Sequence, residues 1–84
     1  MYTIQFTKQA IKALRKMPAN DARLIRLKIQ DLALDPFSAP NVKTLAGRPG
    51  YRLRVGDWRV IFEVDEDVLL IAILKIAPRG GVYQ

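Results

Sequence analysis

The sequence predicts one α+β domain spanning residues 1–84, with a small antiparallel-rich sheet and a two-helix hairpin packed on one face, in the order β-α-α-β-β-β. Three observations lead to this fold. A chain of 84 residues buries enough surface for one compact core only. A short alternating segment precedes two amphipathic helical segments. Three strand-like runs joined by tight turns then complete the chain.

The N-terminal half predicts one strand and two helices. Residues 2–6 alternate apolar and polar side chains, as a half-buried strand does, and Thr7 is a suitable helix N-cap. Apolar residues at positions 10, 11, 14 and 17 recur at helical spacing until Pro18 ends the segment. A longer helix fits from about Pro18 to Asp35, with the Asp35-Pro36 pair stopping it.

The second helix carries more apolar side chains than one stripe requires. The stripe itself consists of Ala22, Ile25, Ile29 and Leu32. Leu24, Leu27 and Leu34 widen it beyond what one face of a sheet needs. Helices this close in sequence are expected to form an antiparallel hairpin. Because the hairpin leaves some of this apolar surface over, we expect the sheet or a partner to cover the remainder.

The C-terminal half predicts a connection followed by three strands. Residues 36–50 contain three prolines and two glycines and form a connection, with residues 42–45 extended. The strands span residues 51–55, 58–64 and 68–77, joined by Gly56-Asp57 and by the acidic turn of residues 65–67. Residues 68–76 are apolar at nearly every position, which predicts a strand covered on both faces.

Composition excludes several classes of function. The chain has no cysteine and no histidine, which removes disulfides, thiolate nucleophiles, the usual zinc sites and histidine-based acid-base catalysis. The N-terminus has no long h-region, and no run approaches the roughly 18 apolar residues that span a bilayer, so we expect a cytoplasmic protein without a membrane partner. The net charge of +6 is concentrated at residues 43–59, which favours nucleic acid, and secondly an acidic protein, as partner.

Three arginines lie in the predicted hairpin YRLRVGDWR, residues 51–59. A two-residue turn places Arg54 opposite Arg59, with Arg52 on the same face about 7 Å along the strand, and directs the alternate, apolar positions toward the helices. Like charges opposed in this way destabilise a sheet by some tenths of a kcal/mol, so folding alone does not favour the arrangement. Two interpretations stay open: arginines that guard an exposed strand, with Glu63 and Asp57 as surface partners, or a docking face for a phosphodiester.

The stretch from Tyr51 to Tyr83 resembles the RelE family of bacterial toxin-antitoxin ribonucleases. It contains the Tyr-Arg-Leu-Arg strand, the Gly-Asp-Trp-Arg turn, the acidic turn, the apolar strand and the closing Val-Tyr, and the more generic helical half extends the match to essentially the whole chain. The resemblance implies entry into the ribosomal A site, cleavage of messenger RNA without a metal or cofactor, and neutralisation by a cognate RelB-like antitoxin.

The same resemblance assigns catalytic roles to Arg52, Arg54, Arg59, Arg79 and Tyr83. The first three would stabilise charge on the phosphate, and Tyr83 would orient or deprotonate the ribose 2′-hydroxyl. Relatives often carry a histidine or a further cation where this chain has Pro78, so Arg79 is the candidate that protonates the leaving oxygen. Because arginine and tyrosine transfer protons poorly near neutral pH, we expect cleavage to depend on the ribosome aligning the RNA.

Other functions fit the same cations. Lys43 and Arg48 are candidates for secondary RNA contacts, whatever the chemistry. The fold also resembles that of ParE-type toxins, which bind and inhibit DNA gyrase without a ribonuclease centre. A catalytically inert nucleic-acid-binding domain is the third alternative.

Overall fold

The computed structural model describes residues 1–79, which form two helices and one five-stranded sheet. The strands are β1 (Thr3–Phe6), β2 (Val42–Thr44), β3 (Tyr51–Val55), β4 (Trp58–Asp65) and β5 (Leu70–Pro78), and the helices are α1 (Lys8–Lys16) and α2 (Ala19–Leu34). The predicted α+β class is confirmed. The short strand β2 extends the predicted order to β-α-α-β-β-β-β.

The strands lie in the order β1-β5-β4-β3-β2. Strands β2 to β5 form a continuous antiparallel meander, whereas β1 pairs with β5 in parallel. A parallel pair cannot be joined by a tight turn. Here residues 7–69, with both helices and three strands, lie between β1 and β5. This order places β4 at the centre of the sheet.

Local signals set the ends of the helices. Thr7 is the N-cap of α1, as predicted, and its Oγ1 accepts a hydrogen bond from the amide of Ala10 at 3.2 Å. Met17 caps the other end, and Pro18 leads directly into α2. At the end of α2, the Asp35 carboxylate accepts hydrogen bonds from Ser38 and from the amide of Phe37, which lowers the pKa of Asp35. These bonds turn the chain away from the helix axis.

The main core lies between the helices and one face of the sheet. Its sheet residues include Leu53, Val60, Phe62, Ile71 and Ile76, and its helix residues include Leu14, Ala22, Ile25, Ile29 and Leu32. The predicted stripe of α2 is therefore buried, because the sheet covers it. The additional leucines of that helix stay uncovered: Leu24, Leu27 and Leu34 are 45%, 53% and 67% exposed.

Strand β5 begins two residues later than the sequence predicts. Val68 and Leu69 lie in the turn, where Leu69 adopts a left-handed φ of 53° and both side chains are exposed. Asp65 explains the shift, since its Oδ1 accepts hydrogen bonds from the amides of Asp67 and Val68 and draws both residues into the turn. Across residues 1–79, neither helix combines the length and the apolar character needed to cross a bilayer.

Candidate functional site

Most of the predicted site residues lie on the face of the sheet opposite the helices. We call this surface the basic face and define it by Lys43, Arg52, Arg54, Arg59 and Lys75. Its register follows from the Gly56-Asp57 turn, in which Gly56 supplies a left-handed φ of 58°. The predicted pairs Val55–Trp58, Arg54–Arg59, Leu53–Val60 and Arg52–Ile61 are all confirmed.

Arg54 and Arg59 face each other across β3 and β4 but differ in accessibility. Arg54 is exposed, whereas Arg59 is only 6% exposed. The Arg59 Nη1 donates to the carbonyl of Trp58 at 3.1 Å and makes a longer contact of 3.5 Å to that of Gly56. Arg59 therefore lies on the predicted face, but its guanidinium is buried there, and the carbonyls of its own turn are among the groups that it contacts.

A second pair of cations lies one step along the sheet. Lys43 of β2 is directly opposite Arg52 of β3, and Arg52 is opposite Ile61 on its other side. Lys43 is exposed and Arg52 is partly exposed. Strand β2 thus adds Lys43 to the arginine cluster. The sequence predicts an extended segment at residues 42–45 but not its pairing with β3.

The exposed arginines of the basic face lack carboxylate partners in the described part of the chain. Within residues 1–79, neither Arg52 nor Arg54 forms an ion pair with Glu63 or Asp57, the partners expected for a purely protective role. Opposed cations without counter-charges raise the local positive potential. Such a potential is suited to the binding of an anion.

The remaining predicted residues differ in position. The amide of Arg79 donates to the carbonyl of Asp57 at 2.7 Å, which holds the backbone of Arg79 at the turn between β3 and β4. Arg48 is exposed in the loop between β2 and β3, at the other end of the hairpin. Tyr83 lies outside the described residues.

Lys75 joins the basic face although sequence reasoning did not select it. The pairing of β4 with β5 shifts at Ile61/Phe62, so that Ile61 is opposite Lys75 while Phe62 is opposite Ile73. This bulge adds one residue to β5 and reverses the alternation after it, which turns Lys75 away from the helices. The signal in the sequence is the spacing of the buried isoleucines, two residues from Ile71 to Ile73 but three to Ile76.

The aromatic residues of the hairpin belong to the core side, as predicted. Phe62 is fully buried, and the ring of Tyr51 stacks on it with centroids 5.5 Å apart. Trp58 packs against the core, and its Nε1 donates to the Asp21 carboxylate in the first turn of α2 at 3.1 Å. These contacts fix the hairpin against the helices and leave the cations to the opposite face.

A small apolar cluster lies among the cations. Ile61, Leu45 and Ala77 are buried there, and Leu74 packs against them. Guanidinium and ammonium groups arranged around an apolar floor are suited to hold a phosphate, because an anion bound there is partly removed from water. Arginine stabilises developing negative charge well but is a poor proton donor near neutral pH.

The chain is similar in sequence to known toxins. A family model described as the ParE toxin of the type II toxin-antitoxin system parDE matches residues 4–83. The toxin RelG of Mycobacterium tuberculosis is 28% identical over 86 residues, which cover 99% of this chain and 97% of RelG.

Solved structures show the same fold. In the RelE–RelB complex from the archaeon Pyrococcus horikoshii, the matching chain is 34% identical, with a TM-score of 0.78 and coverage of 96% of this chain and 98% of that one. The isolated RelE toxin of E. coli superposes with a TM-score of 0.81 over 99% of this chain and 89% of that chain, at 17% identity. The chain therefore belongs to the RelE/ParE family and is a RelE-like toxin of a type II toxin-antitoxin system.

Proposed function

We propose that this toxin is a ribosome-dependent endoribonuclease that cuts messenger RNA and so inhibits translation. The supporting observation is the position of Arg54, which is exposed, faces Arg59 across the hairpin and lies at the turn that holds Arg79. A single phosphate seated there would meet positive charge from three chain segments. Charge that develops on that phosphate would then be stabilised by groups already in place.

The proposed reaction is attack by a ribose 2′-oxygen on its own 3′-phosphate. The new bond joins the 2′-oxygen to phosphorus, the bond from phosphorus to the 5′-oxygen of the next nucleotide breaks, and the proton lost from the 2′-hydroxyl is balanced by one gained at the 5′-oxygen. The products are a 2′,3′-cyclic phosphate and a free 5′-hydroxyl. No metal or cofactor takes part in this scheme.

The proposed roles follow the accessibility of each side chain. Arg54 contacts the scissile phosphate directly, and Arg52 contacts it or the neighbouring phosphate. Arg59 adds positive charge from beneath and holds the turn through its bonds to the carbonyls. Tyr83 and Arg79 are assigned by resemblance to the 2′-hydroxyl and to the leaving oxygen.

Weak proton transfer explains why the ribosome is part of the proposal. Tyrosine has an ordinary pKa of about 10 and arginine one above about 12, so neither exchanges a proton readily near neutral pH. A message held with its 2′-oxygen in line with the phosphate lowers the barrier through orientation, which can contribute several kcal/mol. We therefore expect cleavage of ribosome-bound message and negligible cleavage of free RNA.

The experiment maps cleavage on translating ribosomes with wild-type toxin and with Arg54→Ala. The matched control is Arg26→Ala, an exposed arginine of α2 on the other side of the molecule. We expect cuts that end in a 2′,3′-cyclic phosphate, a rate reduced about 100-fold in Arg54→Ala, and an unchanged rate in Arg26→Ala. A message with a 2′-O-methyl group at the cut site should resist cleavage. Equal cleavage of free and ribosome-bound RNA, or full activity of Arg54→Ala, would contradict the proposal.

A second candidate function is inhibition of DNA gyrase, which the match to the ParE family model supports. Such a toxin would need no ribonuclease centre. The paired Arg52 and Arg54 favour the ribonuclease. A supercoiling assay with purified gyrase, run with the same toxin preparation as the ribosome assay, separates the two functions. Inhibition of gyrase without cleavage of message would establish the second.

We further propose that the partner is a RelB-like antitoxin that contributes an acidic amphipathic helix to the exposed helix surface. Solved relatives include complexes of RelE with RelB, among them the archaeal complex. Leu27 is half exposed beside a groove between α1 and α2, and three arginines border that groove: Arg15, Arg23 and Arg26. Among the described residues that line it, none carries a negative charge.

The antitoxin proposal is tested by coexpression and binding. Leu27→Asp should weaken the toxin-antitoxin complex, because it places a carboxylate where an apolar, acidic helix would dock. Leu69→Asp, a similarly exposed leucine in the turn before β5, serves as the control. Equal affinity of both variants for the antitoxin would place the interface elsewhere.

A further inference from the structure

The bulge in β5 gives Lys75 a position that the chain holds firmly. The Leu74 carbonyl accepts a hydrogen bond of 2.7 Å from Thr7 Oγ1. On the other side of Lys75, the Gln9 side chain binds both backbone groups of Ile76. The Ile76 amide donates to Oε1 at 3.0 Å, and the Ile76 carbonyl accepts from Nε2 at 3.1 Å. The backbone on each side of Lys75 is therefore fixed from the edge that β1 leaves uncovered.

Lys75 completes a row of residues that crosses four strands. Lys43 pairs with Arg52, Arg52 with Ile61, and Ile61 with Lys75. Adjacent strands lie about 4.8 Å apart, so the row extends roughly 14 Å from Lys43 to Lys75, and Lys75 lies roughly 10 Å from Arg52 at the level of the backbone. The row contains three cations and one buried apolar residue.

The surroundings of Lys75 leave its charge available. It is partly exposed, and within residues 1–79 its ammonium group forms no hydrogen bond or ion pair. Glu63 is the acidic residue of β4 on the same face. It lies opposite Ala72 and not opposite Lys75. Structural packing alone does not require a cation at this point of the sheet.

We infer that Lys75 is an additional RNA-binding residue that contacts a backbone phosphate next to the one held at Arg54. The inference rests on the proposed function and extends it, since it gives the RNA a direction: the strand crosses β2 to β5 along the row, perpendicular to the β-strands. Lys43 binds the phosphate at one end and Lys75 the phosphate at the other. Lysine suits this role because its ammonium is a compact point charge on a flexible stem.

The test measures the salt dependence of binding to a single-stranded RNA oligonucleotide with 2′-O-methyl groups, which cannot be cleaved. Loss of one phosphate contact on a single strand makes the slope of log K against log salt shallower by about 0.7. Lys75→Met removes the charge and keeps an apolar stem beside Ile61. We expect the shallower slope in Lys75→Met and in Lys43→Met, and the wild-type slope in Lys75→Arg. Lys28→Met, on the exposed surface of α2, is the matched control.

A second measurement separates binding from chemistry on the ribosome. Lys75→Met should raise the toxin concentration that gives half-maximal cleavage several-fold and leave the maximal rate unchanged, whereas Arg54→Ala should lower the maximal rate. Thermal unfolding and the fluorescence of Trp58 check that each variant is folded.

The outcomes distinguish this inference from the proposed function. A wild-type slope for Lys75→Met together with a shallower slope for Lys43→Met would overturn the role of Lys75 alone. Failure to bind the oligonucleotide even at the lowest salt concentration would overturn the RNA-binding row, while cleavage on ribosomes would still decide the ribonuclease. Shallower slopes without cleavage on ribosomes would support the RNA-binding row and overturn the ribonuclease.

Discussion

Replacing Gln9 with alanine removes the side chain that pairs with the uncovered edge of β5. The Gln9 amide makes two hydrogen bonds with the backbone of Ile76, of 3.0 and 3.1 Å, in the way that a neighbouring strand would. Ile76 is 1% exposed with Gln9 in place, so both bonds are shielded from water in the folded protein. At about 1 to 1.5 kcal/mol for each partly buried bond, the free energy of unfolding should fall by about 2 to 3 kcal/mol.

Chain size converts this loss into a measurable shift. For a domain of 60 to 100 residues, 1 kcal/mol corresponds to roughly 4 to 8 °C in Tm, so Gln9→Ala should melt about 8 to 24 °C below wild type. Gln30→Ala is the matched control, because it makes the same chemical change at an exposed helical position whose side chain forms no hydrogen bond within residues 1–79. Urea unfolding of both variants gives the difference directly, and hydrogen exchange should show lost protection at the amide of Ile76 in Gln9→Ala alone.

Two results would contradict this prediction. If the free energies of unfolding of Gln9→Ala and Gln30→Ala differ by less than about 0.5 kcal/mol, the two hydrogen bonds of Gln9 do not substitute for a strand. The value of about 1 kcal/mol per bond would then be wrong. If stability falls but the Ile76 amide keeps its protection, the loss arises within α1 rather than at the edge of β5.

Other substitutions test the basic face and the turns. Arg54→Ala should leave the free energy of unfolding unchanged or raise it by some tenths of a kcal/mol, because it relieves repulsion. Arg59→Ala should lower it by about 1 to 3 kcal/mol, because it removes a buried hydrogen-bond donor. Urea unfolding at two salt concentrations compares the two variants. Gly50→Ala should cost at least about 1 kcal/mol more than Gly47→Ala in thermal unfolding, since both have positive φ but only at Gly50 would a Cβ lie 3.1 Å from a backbone oxygen. Hydrogen bonds lower the pKa of Asp35 in the folded state, so its stabilising effect is present above its unfolded value of about 3.8 and is lost as the pH falls through the folded pKa. Unfolding midpoints should therefore separate wild type from Asp35→Asn at pH 7 and bring them together near pH 2.

The sequence alone determined the features that depend on neighbouring residues. Thr7 and Pro18 set the two ends of α1. The Thr7 cap and the Pro18 ring, which lacks an N–H, both act within one turn of backbone. Gly56-Asp57 set the register of β3 and β4, since a two-residue turn leaves one pairing. The alternation of the hairpin therefore places Arg52 and Arg54 on one face without the help of any distant contact.

Tertiary structure alone decided the features that depend on a distant partner. The parallel pairing of β1 with β5 and the addition of β2 at the far edge join segments that no local signal connects. The low exposure of Arg59, 6%, depends on its surroundings in the folded chain, since alternation along β4 determines only which face it occupies. Lys75 reaches the basic face only because β5 bulges against β4. A bulge is an extra residue in one strand of a pair, so it exists only once the two strands have paired.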